Sequence, residues 1–273
     1  MTISASIVTY NTDRGELMKC IDSLRMNGVA PVYISDNSPV DGLRGFCKDL
    51  KGVNYIFNGK NLGYGAGHNV AIRKAQEYGS TYHLVINSDV YFGKGVIPAI
   101  VGYMDANADV GQLIPNVVYP DGRIQYVVRL LPTPVDLIFR RFLPNWIVKR
   151  RNYRYCLEFA DHSRPMNVAY HQGSFLFFRM SSLKEVGLFD ERFFMYPEDI
   201  DITRRMHRHY RTMFWPGATI VHAHRAASYK NMRMLWVHIV NMVRYFNKWG
   251  WFFDRERRRW NRHLLEETGY KKK

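Results

Sequence analysis

The chain has 273 residues, 47% of them hydrophobic and 23% charged, which supplies ample core and excludes a disordered polypeptide. A formal net charge of +15 points to a polyanionic partner, whether nucleic acid, an anionic membrane surface or a phosphorylated substrate. Three widely spaced cysteines, Cys20, Cys47 and Cys156, lack any CxxC pairing and are expected as reduced thiols in a cytosolic compartment.

The amino terminus enters a strand directly, Ile3 to Tyr10, without the basic and apolar regions of a signal peptide. No later run approaches the roughly 20 apolar residues of a membrane span. Thr12 or Asp13 is placed to cap a helix whose apolar face is Leu17, Cys20 or Ile21, and Leu24, stopped at Gly28. A second strand, Val32 to Ser35, ends in Asp36-Asn37-Ser38, and a third, Val53 to Phe57, runs into the glycine-rich stretch Asn61 to Asn69. A helical pattern follows through Ala75. Strands alternating with helices predict a parallel, doubly wound sheet. Gly63, Gly65 and Gly67 read either as a plain turn or as a backbone that approaches a phosphate, since the full GxGxxG spacing is missing.

The fourth strand stops abruptly at Asn87-Ser88-Asp89. In open α/β sheets ligands bind outside the carboxyl ends of the strands, and a carboxylate there can hold a divalent ion against a diphosphate. Asp89 alone would equally suit a turn or a helix cap. A helix is expected from Val96 to Asp105 and a strand from Gln112 to Val117. The segment 129–156 is basic and aromatic, with Arg140, Arg141, Lys149, Arg150, Arg151 and Arg154 set among Phe139, Phe142, Trp146 and Tyr153. Broken by Pro132, Pro134 and Pro144, it reads as a loop facing an anionic surface or substrate.

Val168 to Arg179 reads as a strand with Gly173 and Ser174 in its middle, and glycine inside a strand marks a bulge or a ligand's close approach. Next, the aromatic run Phe193-Phe194-Met195-Tyr196 leads to Pro197 and a helix opening with Glu198, Asp199 and Asp201. Helix capping accounts for one or two of these acids. Three carboxylates in four positions also require a cation, a proton or a positive substrate group, and such crowding tunes a general base. A strand from Thr212 ends in His222-Ala223-His224, whose two imidazoles share one face and suit a metal or phosphate. The helix Met232 to Phe253 places Leu235, Ile239, Val243 and Phe246 on one face with His238, Asn241 and Lys248 opposite, fitting either core docking or an interfacial membrane helix.

Taken in order over about residues 3 to 225, these motifs resemble the family 2 glycosyltransferases, particularly the rhamnosyltransferase-like bacterial branch. The matching stretches are Ser6 to Asn11, Asp36-Asn37-Ser38, Asn61 to Gly65 with Gly67 and Asn69, Asn87-Ser88-Asp89, Gly173-Ser174, Phe189 to Phe194, Glu198 to Asp201, and His222. The resemblance implies the GT-A fold: α/β, Rossmann-like, with a mixed, mainly parallel sheet. Residues 1–228 would form the glycosyltransferase domain, 1–91 the nucleotide half and 92–228 the acceptor and catalytic half; the basic insert 129–156 and the amphipathic and basic helices of residues 229–273 lie outside the resemblance. It further implies that Asp36 meets a pyrimidine base, and that Thr9, Tyr10, Asn11, Asn61, Gly63, Gly65, Asn69, Asn87 and Ser88 line the donor site. Gly173, Ser174 and Tyr196 would face the acceptor.

By the same resemblance Asp89 and His222 hold Mg²⁺ or Mn²⁺, Asn87 standing where the family's metal motif has its first Asp; His224 and Arg225 are further candidates for the diphosphate. Asp199 would be the catalytic base, supported by Glu198 and Asp201. The physics of glycosyl transfer asks for the same groups, a Lewis acid on the departing diphosphate and a carboxylate for the acceptor proton. One base without a carboxylate nucleophile suggests inversion. The expected partners are a UDP- or dTDP-sugar and a glycan or lipid-linked acceptor at an anionic membrane surface on the cytoplasmic side, with no nucleic acid. Two other readings stay open, a basic nucleic-acid-binding protein and a nucleotide-sugar pyrophosphatase. The first leaves the acidic cluster unexplained, because carboxylates repel phosphate backbones.

Overall fold

The computed structural model describes residues 1–138, 144–223 and 232–271. Phe139, Arg140, Arg141 and Phe142 of the basic segment, with His224 and Arg225, lie outside the described residues.

Strands β1 (Ile3–Thr9), β2 (Val32–Asp36), β3 (Val53–Phe57) and β4 (Tyr82–Ile86) form the parallel half, their crossovers carrying helices α1 (Arg14–Met26), α2 (Arg44–Cys47) and α3 (Tyr64–Glu77). Helix α1 follows the sequence pattern closely. Asp13 accepts from Glu16 N at 3.0 Å as its cap, and Leu17, Cys20, Ile21 and Leu24 form its buried stripe. Strands β2 and β4 are buried at every position, as strands covered on both faces must be.

The chain continues through β5 (Val90–Tyr91), α4 (Val96–Ala106), β6 (Val110–Val118), α5 (Pro134–Leu137), α6 (Asn145–Tyr155), β7 (Met166–Asn167), β8 (Phe175–Arg179), α7 (Met180–Val186), α8 (Glu198–His207), β9 (Arg211–His222), α9 (Met232–Trp249) and α10 (Arg255–Glu267). One mixed sheet results, in the order β3-β2-β1-β4-β8-β6-β9-β5, with β7 alongside β9. Two features of that order place the site. The sheet grows one way from β1 to β3 and the other way from β1 to β4, creating a switch point at the carboxyl ends of β1 and β4. Strand β8 runs antiparallel to β4 with Phe175 opposite Ile86, so Gly173 and Ser174 lie beside Asn87.

The structure corrects three sequence expectations. The continuous strand expected from Val168 to Arg179 is interrupted between β7 and β8. Backbone donors there leave the ladder: Gln172 N donates to Val127 O and Gly173 N to the Asp199 carboxylate. The described parts of the basic segment carry helices where a loop was expected, because Pro134 begins α5 and Pro144 precedes α6, using proline as a helix start. Arg151 pins the two helices together through Asp136 at 2.7 Å. Finally, α9 docks on the core, one of the two alternatives for it, through Met242, Tyr245 and Phe246, but the face expected to be polar turns inward. Asn241 donates to Met195 O at 3.0 Å, and Lys248 meets Asp201 at 2.6 Å.

Candidate active site

Asp89 follows β4 in the turn leading to β5, and β5 pairs with the end of β9, Val90 opposite His222. Ala223 N donates to Asp89 O at 3.0 Å, and this short ladder holds His222 Nε2 3.4 Å from Asp89 Oδ1. Gln125 fixes the tautomer. Its Nε2 donates to His222 O at 2.7 Å, so its oxygen is the atom 2.9 Å from His222 Nδ1. An amide oxygen only accepts, so Nδ1 carries a proton and Nε2 is the nitrogen turned toward Asp89. A metal-binding histidine is oriented in this way by a partner on its other nitrogen. No group of three or more His, Cys, Asp or Glu that could hold a metal occurs among the described residues. A divalent ion at Asp89 and His222 would therefore draw its remaining oxygens from diphosphate and water.

Across the cleft, Glu198 and Asp199 occupy the first turn of α8. Asp199 accepts from Gly173 N at 2.9 Å and from its own turn at Ile200 N at 2.7 Å. Burial raises its pKa to about 7, against the opposing pull of these N–H groups and of Arg129. Glu198 is 4% exposed and its Oε2 has no hydrogen-bond partner. Burial and the Asp199 charge push its pKa well above the usual carboxylate range. The donors decide how the pair divides its charge. Asp199, with two N–H groups aimed at it, ionises first, and Glu198, with none on Oε2, keeps its proton to higher pH.

Tyr64 links the two sides. Its hydroxyl donates to Gly173 O, lies 3.1 Å from Asn87 Oδ1, and is surrounded by Glu198, Asp199 and Asp89. A Cβ on Gly173 would stand 3.3 Å from the Asp199 Cβ and 3.4 Å from the Tyr64 ring, so glycine here permits the close approach.

The expected site residues fall into two groups. Asn87, Ser88, Asp89, Gly173, Asp199 and His222 gather around the carboxyl end of β4, with Tyr10 exposed and Asn11 held in a left-handed turn at the end of β1. Ser174 is buried there with its hydroxyl unpartnered, and Tyr196 stacks edge-on to His238 at 4.9 Å. The others are occupied by the protein itself. Asp36 is fully enclosed, its carboxylate taken by Thr9 Oγ1, Ser38 and the Tyr55 hydroxyl at 2.6–3.0 Å. Thr9 is therefore joined to Asp36 in one buried network at the ends of β1 and β2.

The glycine loop is likewise filled by protein. Asn61 accepts from Gly63 N, Tyr64 N donates to Phe194 O, and a Cβ on Gly65 would stand 2.9 Å from Phe189. Asn69 clamps both backbone groups of Phe189. Gly63, Gly65 and Asn69 thus seat the 189–194 segment on α3. Asp201, expected to support the base, is fully buried behind it, engaged by Arg205, Lys248 and the Trp249 indole at 2.6–2.9 Å. Gln125, Arg129 and Tyr64 were not singled out from the sequence as site residues. Only Tyr64, between two glycines, carried a local signal.

The reversed sheet order, with an acidic turn after β4 and a carboxylate pair opposite, defines a GT-A-type α/β enzyme. The chain belongs to the family described as Glycosyl transferase family 2, whose sequence profile matches residues 4–187. It is 30% identical over 222 residues to the N-acetylglucosaminyl-diphospho-decaprenol L-rhamnosyltransferase of Mycobacterium tuberculosis, covering 76% of this chain and 70% of that protein. It is also 30% identical over 206 residues to the low-salt glycan biosynthesis hexosyltransferase Agl10 of Haloferax volcanii, covering 74% of this chain and 61% of that one. Among solved structures, GalNAc-T7 with UDP, GalNAc and Mn²⁺ superposes with TM-score 0.69 at 15% identity, over 91% of this chain and 48% of that one. The mannosyltransferase PcManGT of Pyrobaculum calidifontis, with GDP-Man and Mn²⁺, gives TM-score 0.58 at 14% identity, over 98% and 74%. These last two likenesses speak for the fold.

Proposed function

We propose that this glycosyltransferase moves a hexose of the rhamnose type from a UDP- or dTDP-sugar to a hydroxyl of a glycan or lipid-linked acceptor, with inversion, in surface polysaccharide assembly. The observation that carries the chemistry is the buried carboxyl pair, with two backbone N–H groups on Asp199 and no partner on Glu198 Oε2. A buried carboxylate raised to about 7 is a stronger base than a free aspartate, and two backbone N–H groups limit the rise so that it ionises near neutrality. Asp199 takes the proton of the acceptor hydroxyl as that oxygen attacks the anomeric carbon. Glu198, buried and holding its proton beside Asp199, is no nucleophile, and Asp201 is committed to Arg205 and Lys248. Single displacement is the route left to such a site.

Asp89 and His222 would hold Mg²⁺ or Mn²⁺, which when bound supplies a Lewis acid for the departing diphosphate. Tyr64 and Asn87 keep the strand end and the Gly173 turn in register, so the base and the Asp89 side hold their separation. The rhamnosyl and lipid-diphosphate character of the proposal is supported by the named mycobacterial relative. No helix among the described residues is long and apolar enough to cross a membrane. Peripheral attachment to an anionic surface is supported by the net charge of +15 and by the exposed Trp146, Trp236, Phe252 and Phe253. The free cysteines accord with a cytoplasmic location.

The test is a thermal-shift screen of UDP- and dTDP-sugars with and without Mn²⁺, followed by product analysis on the best donor. A ligand bound only to the folded state raises the melting temperature by mass action. A glycosylated acceptor with inverted anomeric configuration is expected. Release of free sugar phosphate would identify a pyrophosphatase and overturn the proposal.

A further inference from the structure

A cavity of about 610 Å³ opens on the side of the molecule built by α5, α6 and the segment from Trp251 through α10. Five arginines line it, Arg151, Arg154, Arg257, Arg258 and Arg262, against one acid, Glu266. Two of the five belong to the walls. Arg151 is neutralised by Asp136 at 2.7 Å, and Arg257 is buried, donating to the carbonyls of Pro132 and Trp251 with Asp254 3.9 Å away. The other three are differently placed. Arg154 lies over the Tyr270 ring and Arg258 over that of Phe253, Arg258 donates to Phe252 O, and Arg262 is exposed; among the described residues no carboxylate pairs with any of them. A second recess adjoins the first and adds Arg255, Arg259 and His263.

Three guanidinium groups gathered without counter-charge repel one another and leave their planar donor forks open, an arrangement that a phosphate with several anionic oxygens satisfies. The same cavity has an apolar side, formed by Trp251, Phe252 and Leu265. Its rim continues into Phe252 and Phe253, which are 60% and 87% exposed. Aromatic residues standing out of a basic rim are the pattern of a protein surface that meets lipid headgroups. A soluble glycan or nucleotide would use the arginines and leave these rings in water. A lipid phosphate uses both.

We infer that this cavity is a binding site for the phosphate group of a membrane lipid, the guanidiniums holding the phosphate and Phe252 and Phe253 meeting the hydrocarbon. A phospholipid headgroup and the diphosphate of a prenyl-linked acceptor share this chemistry. The inference rests on the proposed membrane-surface reading and adds to it a defined pocket, lined by none of the residues assigned to the cleft.

The experiment is co-sedimentation with three vesicle types: phosphatidylcholine alone, phosphatidylcholine with phosphatidylglycerol, and phosphatidylcholine with a short polyprenyl diphosphate. The double variant Arg154→Gln, Arg262→Gln is compared with Arg25→Gln, Lys48→Gln, which removes equal charge from exposed positions elsewhere. With each basic residue at a lipid surface worth about 1 kcal/mol, the cavity variant should lose about tenfold or more in vesicle affinity and the control about twofold or less. Loss confined to diphosphate vesicles assigns the pocket to the acceptor, and loss confined to phosphatidylglycerol vesicles to bulk phospholipid. Equal loss in the two variants, or wild-type binding no tighter than to phosphatidylcholine alone, overturns the inference. The melting-temperature shift with UDP and Mn²⁺, measured on the same variants, should be unchanged. It reports on the cleft alone, so the pocket can fail while the glycosyltransferase reading stands.

Discussion

Asp199 gains its strength as a base from burial and ionises near neutrality because Gly173 and Ile200 direct N–H groups at it. A base must be deprotonated to act, so with a pKa raised to about 7 turnover should climb with pH through neutrality and level off above it. Asp199→Asn is nearly isosteric yet cannot take the proton. Its turnover should drop about 10²-fold or more with donor affinity little changed, as steady-state kinetics and donor titration will read. Normal turnover in this variant would remove Asp199 from the chemistry. On the opposite wall, Gln125→Leu takes away the acceptor that keeps the His222 proton on Nδ1. Mn²⁺ affinity, measured by calorimetric titration without donor, should weaken about 10- to 100-fold while the fold persists. Unaltered affinity would mean His222 is oriented by something else. Asp89, His222 and Asp199 could be proposed from the sequence because each lies at or beside the end of an element. Gln125 was not, since its contact spans 97 positions and follows from β6, β9 and the turn between β6 and α5 together.

At the scale of elements, α8 shows why three carboxylates in one turn need not share a task. Glu198 and Asp199 face the cleft, while Asp201 points back into a cage of Arg205, Lys248 and Trp249. That cage explains the rotated face of α9. A buried carboxylate costs several kcal/mol without partners, so α9 presents Lys248 and Asn241 inward and leaves Trp236 and Val240 exposed. Apolar periodicity could not anticipate this, because the phase of α9 is set by a charge on another helix. The first third of the chain was legible for the opposite reason, its stripes in α1 and its strands being matched to apolar partners only. Asp201→Asn should lower unfolding stability in urea by about 2 kcal/mol, by weakening charge-assisted hydrogen bonds, with turnover of the folded protein nearly intact. If turnover collapsed while stability held, Asp201 would belong to the chemistry after all.

Over the whole molecule, buried ionisable groups set a proton balance that the sequence does not display, since nothing local marks which of its ten histidines are enclosed. Burial lowers His83 and His171 to about 3 and His207 to about 4, and it lowers His68 as well, each from 6.5. A base depressed on folding contributes its stability fully above about 6.5, and loses it as pH falls, because the unfolded chain takes the proton first. Glu198 and Asp199 act in the opposite sense. Their raised pKa values make the folded state hold protons that the unfolded chain has released above about 4.5, so their term eases as pH falls. Between pH 5 and 6, four histidines against two carboxylates leave a net uptake approaching two protons on unfolding. Stability should therefore fall with pH in that window, by up to about 3 kcal/mol per pH unit. The window avoids Asp190, which Arg192 and Lys248 hold low and which matters only in stronger acid. Urea unfolding at closely spaced pH values reads the slope directly. His83→Gln, whose ring otherwise bonds Ser4 and Ser6 at 2.8 and 2.9 Å, should flatten it by about one proton, and Glu198→Gln should steepen it by about one. A slope that neither substitution moves would show that the acid sensitivity arises from the repulsion of the +15 surface and not from these buried groups.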